Sequence, residues 1–308
     1  MKRSHLFILL LAVFSATSFL NAQNIYGDPE KDVNLKKNDK SSFFVYDPVS
    51  REEVSIDIFK NIEDAKTGNP KAQYKLGLCY EKGQGFEADY EKAIYWYKKA
   101  AVQGLVEVQY KVGLIYETGG LSPYIERNLN EAVKWYTMAV NQGIDRLEIP
   151  YKIGYWYEAG ILDIEEDPEK ALYWYTEAAK KGEDKGQYRL GLCYEKGQLG
   201  VEKDFSKALD WYTKAAKQDN SDAEYRLGLC YEKGQLGVEK DLTKAEKWYK
   251  TAAGHGHSKA RDWLVELEKK QRQALHDSAQ AEAERRRQEA EKKRQEAEKK
   301  QQKRRNSY

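Results

Sequence analysis

The sequence predicts an all-α fold, a solenoid of stacked helical hairpins with a charged helical tail. Three observations carry this: a motif that returns five times, a near-constant interval between copies, and helical spacing of the apolar residues within each copy. Leu76-Gly77 with Tyr80 and Gly83 returns as Val112-Gly113 with Tyr116 and Gly119, and as Ile153-Gly154 with Tyr157 and Gly160. It returns again as Leu190-Gly191 with Tyr194 and Gly197, and as Leu227-Gly228 with Tyr231 and Gly234. Each copy leads to a Trp-Tyr pair: Trp96-Tyr97, Trp135-Tyr136, Trp174-Tyr175, Trp211-Tyr212 and Trp248-Tyr249. Successive Trp residues are 39, 39, 37 and 37 apart. A fixed period in this range marks helical units, none of which can bury its apolar face alone.

The chain opens with Lys2-Arg3, an apolar run from Leu6 to Phe14, and small and polar residues to Ala22. This pattern is that of a secretory signal peptide over residues 1–22, too short and wrongly flanked for a membrane span. No Cys stands at the cleavage point, which argues against a lipid anchor. Residues 23–55 mix Lys, Asp, Asn and Ser, and are expected to form a flexible leader.

In the first copy, Ala72, Leu76, Tyr80 and Gly83 lie on one helical face. Gly83 stands where a left-handed residue ends a helix. After a loop of about six residues, Asp89 is placed to cap the next helix, its carboxylate accepting from an orphan N–H. Ala93, Trp96, Tyr97, Ala100 and Ala101 then form an amphipathic face that Gly104 closes. Asn128, Asp167, Asp204 and Asp241 hold the corresponding cap positions, and Pro168 follows Asp167 where a missing N–H costs nothing. The small residues Gly77, Ala93 and Ala100 let two helices approach, while the Trp and Tyr rings are expected to fill the space between hairpins.

The pattern A-x-x-x-L-G-x-x-Y-x-x-G, an acidic cap, then K-A-x-x-W-Y-x-K-A-A-x-x-G resembles the Sel1-like repeat family, a relative of the tetratricopeptide repeats. The resemblance spans about 185 of the 308 residues. It implies a right-handed α-solenoid over residues 56–270, with five full repeats near 72–104, 108–143, 149–182, 186–219 and 223–256. Val108, Ile149 and Gly186 replace the opening Ala, the second repeat has a longer loop around Ser122-Pro123, and the link from Gly143 to Ile149 is two residues longer than its counterparts. These insertions predict a local irregularity. Residues 188–204 and 225–241 are identical over 17 positions, which predicts a shared local geometry.

Residues 56–68 read as a lone second helix in front of the first repeat, and residues 258–270 as a lone first helix closing the other end. Residues 271–308 form a charged helical tail built on the heptads RRRQEAE, KKRQEAE and KKQQKRR. Ala is its small apolar member, so it reads as a solvated single helix. Residues 281–308 carry 11 Lys/Arg and six Glu, or +5. The whole chain is +2 and loses two cations with residues 1–22, so the remaining body is about −5.

Cys79, Cys193 and Cys230 share one repeat position. Adjacent stacked helices lie roughly 8–10 Å apart, beyond the ~7 Å reach of a disulfide. The three read as buried thiols. His255-x-His257 is weak as a chelate and reads as a turn without a metal. Phosphate loops, a nucleophile elbow and zinc-ligand spacing are absent, so the sequence nominates no catalytic, cofactor or metal residues.

The binding candidates lie outside the packing motif. Tyr74, Tyr110, Tyr151, Tyr188 and Tyr225 recur on the first helices, each followed by a cation: Lys75, Lys111, Lys152, Arg189 or Arg226. The resemblance implies that first helices line the concave face, where two such ladders would suit an extended peptide or acidic ligand. In the alternative, the Tyr residues pack between repeats and the cations are a solvated face. Glu81, Glu117, Glu158, Glu195 and Glu232 form an acidic column about 120° around the helix. It is expected to dilute the cationic ladder without erasing it.

The function expected is an exported, non-catalytic scaffold or adaptor, periplasmic or secreted, that binds a protein or peptide partner. Neither nucleic acid nor a small-molecule substrate is expected. An envelope hydrolase acting on cell wall or β-lactams, as the resemblance to Cys-rich relatives raises, lacks the paired Cys of those relatives. A surface tether acting through the basic tail on an anionic envelope surface is the third reading.

Overall fold

A computed structural model describes residues 42–47, 52–120 and 125–305 of the chain. The expected signal peptide, most of the leader and the Ser122-Pro123 insertion lie outside these residues. Among the described residues there are twelve helices and one two-stranded sheet.

The sheet corrects one expectation. Strands β1 (Ser42–Asp47) and β2 (Glu52–Asp57) pair antiparallel, Ser42 opposite Asp57 and Asp47 opposite Glu52, in the stretch read as a flexible leader and the first two residues of the one read as a lone helix. Phe43, Phe44, Val45, Tyr46, Val54 and Ile56 are aromatic or β-branched, types that favour a pleated strand. The polar average over residues 23–55 hid these two short runs. Asp57 ends β2 and caps helix α1 (Ile58–Lys66), accepting from the Lys60 N–H at 3.2 Å. Helix α1 buries Ile58, Ile62 and Ala65 in the place of a lone second helix.

Five hairpins follow. They are α2 (Pro70–Lys82) with α3 (Tyr90–Val102), α4 (Val106–Thr118) with α5 (Leu129–Asn141), and α6 (Glu148–Ala159) with α7 (Pro168–Lys180). Then come α8 (Asp184–Lys196) with α9 (Phe205–Ala216), and α10 (Ser221–Lys233) with α11 (Leu242–Gly254). Each first helix ends on a left-handed glycine, Gly83, Gly119, Gly160, Gly197 or Gly234, at φ between 58° and 69°. Each second helix starts on its expected cap: Asp89, Asn128, Asp167, Asp204 and Asp241 accept from the N–H three residues on at 2.8–3.0 Å. Such a cap contributes about 1 kcal/mol.

The Trp-Tyr pair divides its labour. A Cβ placed on Gly77 would stand 2.6 Å from the Tyr97 ring, and one on Gly191 would stand 2.5 Å from that of Tyr212. The Tyr therefore lies flat across the Gly of its own hairpin and fixes how closely its two helices approach. It is fully buried in all five copies. Trp96, Trp135 and Trp174 are buried too, but Trp211 and Trp248 are only half-buried.

The chain divides after Lys181 into two compact units. The first holds the sheet, α1 and three hairpins. In it α5 and α6 touch more sparsely than α3 and α4, where the link from Gly143 to Ile149 is longer. The second holds two hairpins and helix α12 (Ser258–Arg305), 48 residues long. The expected boundary at residue 270 is no break: the closing helix and the charged tail are one helix, roughly 72 Å long at 1.5 Å per residue. Its first turns bury Ala260 and half-bury Trp263 and Leu264, while Val265 is exposed and exposure is continuous from Glu268 to Lys299. Among the described residues no helix is long and apolar enough to cross a membrane.

Candidate functional site

The ladder tyrosines rest on the hairpin that carries them. Tyr74 packs on Tyr97 with ring centres 5.6 Å apart, and Tyr110 on Tyr136, Tyr151 on Tyr175, Tyr188 on Tyr212 and Tyr225 on Tyr249 repeat this at 5.5–5.7 Å. Tyr74 is buried; the other four keep part of the ring in solvent. Packing within the hairpin and partial exposure thus coexist in four of these five residues.

The acidic column does more than dilute the cations. Tyr97 donates its phenol to Glu81 at 2.5 Å, and Lys111 of the next hairpin reaches the same carboxylate at 2.9 Å. Tyr136 and Lys152 meet Glu117 in the same way, at 2.5 and 2.9 Å. Tyr212 donates to Glu195 at 2.6 Å, where Arg226 adds its Nε at 2.9 Å and its Nη2. At the end of the stack Tyr249 donates to Glu232 at 2.6 Å, and the Trp263 indole N–H takes the place of the cation at 2.9 Å. Tyr175 donates to Glu158 at 2.6 Å.

Glu81, Glu117 and Glu195 are therefore clasps between one hairpin and the next, and Glu232 is one between the last hairpin and α12. Burial pushes the Glu81 carboxyl up, but Lys111 and the Tyr97 phenol outweigh it and hold it below its usual value. Burial, reinforced by Glu81, pushes the Tyr97 phenol far up, so it stays a donor. This corrects the expectation that Lys111, Lys152 and Arg226 lie outside the packing. Arg189 donates to Gln198 at 3.1 Å. Lys75, with no first helix before it, makes no ion pair among the described residues.

Sequence reasoning passed over the residue after the motif glycine. Leu114 and Tyr155 are exposed there by 38% and 49%, beside the spent cations Lys111 and Lys152, whereas Leu78 at the same position is buried. The repeat of this column was visible, but not that its side chains face solvent.

In the second unit Tyr188 and Tyr225 line one cavity of about 480 Å³, together with Asp222, His257 and Lys259. His257 stacks on Tyr225 at 4.2 Å, accepts from the Ala260 N–H through Nδ1 at 3.2 Å, and turns Nε2 toward Asp222 at 3.4 Å. It is the N-cap of α12. His255 points elsewhere: its Nδ1 meets buried Glu224 at 2.9 Å and its Nε2 lies 3.7 Å from Asp219. The two rings do not form a chelate. Asp219, Glu224 and His255 bring ligand atoms within 4.8 Å of one another. The two carboxylates face opposite ring nitrogens, however, and one imidazole offers one ion only one nitrogen.

Cys79, Cys193 and Cys230 are buried free thiols. Burial pushes Cys79 up to about 12, against a small opposing effect of Lys75, and pushes Cys230 up as well. Such thiols stay protonated and unreactive.

The Sel1 repeat pattern matches residues 70–105, 106–144, 151–183, 184–220 and 221–257. No curated protein matches the chain. Among solved structures, a Sel1 repeat protein from Oxalobacter formigenes is 33% identical, over 66% of this chain and 84% of that one, with a TM-score of 0.46. A protective antigen of uropathogenic Escherichia coli, described as an SLR fold, is 29% identical over 68% of this chain and 51% of its own, at a TM-score of 0.44. An immunity protein from Pseudomonas aeruginosa is 21% identical over 64% and 73%, at 0.35. Sel1 repeats generally mediate contact with protein or peptide partners and are generally not catalytic. With five matched repeats covering more than half its length, the chain belongs to the Sel1 repeat family.

Proposed function

We propose that the protein is an exported, non-catalytic scaffold that holds a protein or peptide partner on the face formed by its first helices. Export rests on the charged, apolar and small-residue succession of residues 1–22. The observation that carries the binding reading is the cavity of about 480 Å³ where two ladder residues, Tyr188 and Tyr225, stand together with Lys259 beside them. Partly exposed rings on a rigid helix pair present contact area at low entropic cost. Because Lys111, Lys152 and Arg226 are bound to carboxylates, recognition on this face rests on aromatic and apolar contact more than on a cationic ladder.

Capture from an envelope fraction, with residues 23–308 as bait, tests the reading. Replacing Tyr188 and Tyr225 by Ala should leave the helical spectrum intact and abolish capture of the partner that the unaltered bait retains. Equal capture by both baits moves the site off this face. The same bait should hydrolyse neither β-lactams nor peptidoglycan fragments above a heat-killed control. The exposed basic helix beyond Glu268 favours a second role, attachment to an anionic envelope surface.

A further inference from the structure

The last hairpin and the turn that leads into it depart from their counterparts at three positions that meet in space. In the first and fourth hairpins a Gln on the first helix meets a Gln at the end of the second: Gln103 donates to Gln73 at 2.7 Å, and Gln218 to Gln187 at 2.8 Å. In the fifth the same two positions are Glu224 and His255, joined at 2.9 and 3.0 Å through Nδ1. The third departure is Asp219. Gly104, Gly143, Gly182 and Gly256 hold its position in the other hairpins, all at positive φ, and Asp219 adopts φ 61° there without being a glycine. A side chain is rarely kept in that conformation without a compensating contact. Here it sets a carboxylate 3.7 Å from His255 Nε2.

A neutral Gln–Gln pair is indifferent to pH; a Glu–His pair is not. Glu224 is 1% exposed, so its carboxylate is screened by little besides His255. His255 sits at the carbonyl end of α11, which also favours a cation. The titratable groups around the pair are Asp219 in the turn after α9, Asp222 in α10, and His257 at the head of α12. We propose that this joint is a proton-operated latch that holds the end of the stack, and with it α12, more firmly in mildly acidic than in alkaline solution.

The sign follows from both partners. The hydrogen bond to Glu224, and then the charges of Glu224 and Asp219, raise the His255 pKa above its ordinary 6.5. Burial raises Glu224, with His255 opposing. A group raised by folding stabilises the fold fully below its ordinary value, and that contribution fades as pH climbs through the raised value. For His255 the gain is complete below 6.5 and is lost as pH rises from there through the raised value. His257 works differently. It caps α12 through Nδ1 and turns Nε2 toward Asp222, outside the Glu224–His255 pair.

Amide hydrogen exchange on the full chain, corrected for the intrinsic chemical rate, tests the latch. Between pH 8 and pH 6, protection in the last turn of α11 and the first turns of α12 should rise several-fold, while that of α2 to α7 stays level. The double variant Glu224→Gln with His255→Gln installs the pair used by the first and fourth hairpins and should fold. It should lose the pH difference. His257→Asn, which keeps a capping oxygen, should retain the difference. The latch is overturned if the unaltered chain shows no difference, if the double variant keeps it, or if His257→Asn alone removes it.

Discussion

Lys111 of the second hairpin lies 2.9 Å from Glu81 of the first, and its ammonium stands 4.8 Å above the ring of Tyr97, which donates to the same carboxylate. One cation thus closes the boundary between two repeats through a carboxylate and a ring. Both ionic side chains keep only 15% of their surface in solvent, so the pair is shielded far more than a surface ion pair.

Reversing Lys111 to Glu should therefore destabilise the fold. It removes the cation that the next hairpin bridges to Glu81 and sets a second carboxylate against the first. Breaking a largely buried pair costs about 3 kcal/mol or more. Lys111→Met, which keeps the stem, should cost less, about 1–2 kcal/mol. Urea unfolding measures both, and equal stability of all three proteins would show the clasp to be idle.

The same clasp fixes an acid response. Glu81 is held below its usual 4.5, so its share of stability is present above that value and disappears as pH falls through the lowered one. Acid unfolding of Lys111→Met should begin at a higher pH than in the unaltered protein. Coincident acid transitions would remove Glu81 from the account.

Gly77→Ala tests the close approach inside a hairpin. The added Cβ would stand 2.6 Å from two atoms of the Tyr97 ring and 3.1 Å from the Ala93 carbonyl oxygen, so ring and helix must both yield. Overpacking of this kind costs about 1–3 kcal/mol, despite the better helix propensity of Ala. Trp174→Ala, which empties a site 6% exposed, should cost about 3–5 kcal/mol. A loss under ~1 kcal/mol would show that Trp174 is not core.

These effects show what the sequence could and could not reveal. Helix caps and left-handed glycines are local devices, and Asp89 and Gly83 stand where spacing placed them. The role of Lys111 depends on a carboxylate 30 residues earlier, and spacing alone does not show whether two columns on adjacent helices touch. The acidic column was visible as a repeat, but its pairing needed the offset between stacked hairpins. His255 and Glu224 were equally separate in sequence, and only the Gln pairs of other hairpins reveal them as a substitution. The hairpin of β1 and β2 was missed for a different reason, since a short strand run is lost in the average of a polar segment.

The tail separates a scaffold from a tether. Helix α12 runs unbroken to Arg305, yet its side chains are exposed from Glu268 to Lys299, and Leu275 is 73% exposed. Among the described side chains, removing residues 277–308 takes away no buried apolar surface, so the melting temperature should stay nearly unchanged. The i,i+4 pairs Glu282–Arg286 and Arg294–Glu298 help the tail stay helical but contribute little to the body. The same truncation removes the +5 of residues 281–308 and leaves an acidic body. Near an anionic membrane each basic residue contributes about 1 kcal/mol, reduced here by the interspersed Glu. Full-length protein should therefore sediment with anionic envelope material at low salt and leave it at high salt, while the truncated protein stays in solution at both. If both remain in solution at low salt, the tail is a spacer or a docking helix for one partner, and the work of the protein rests with the hairpins alone.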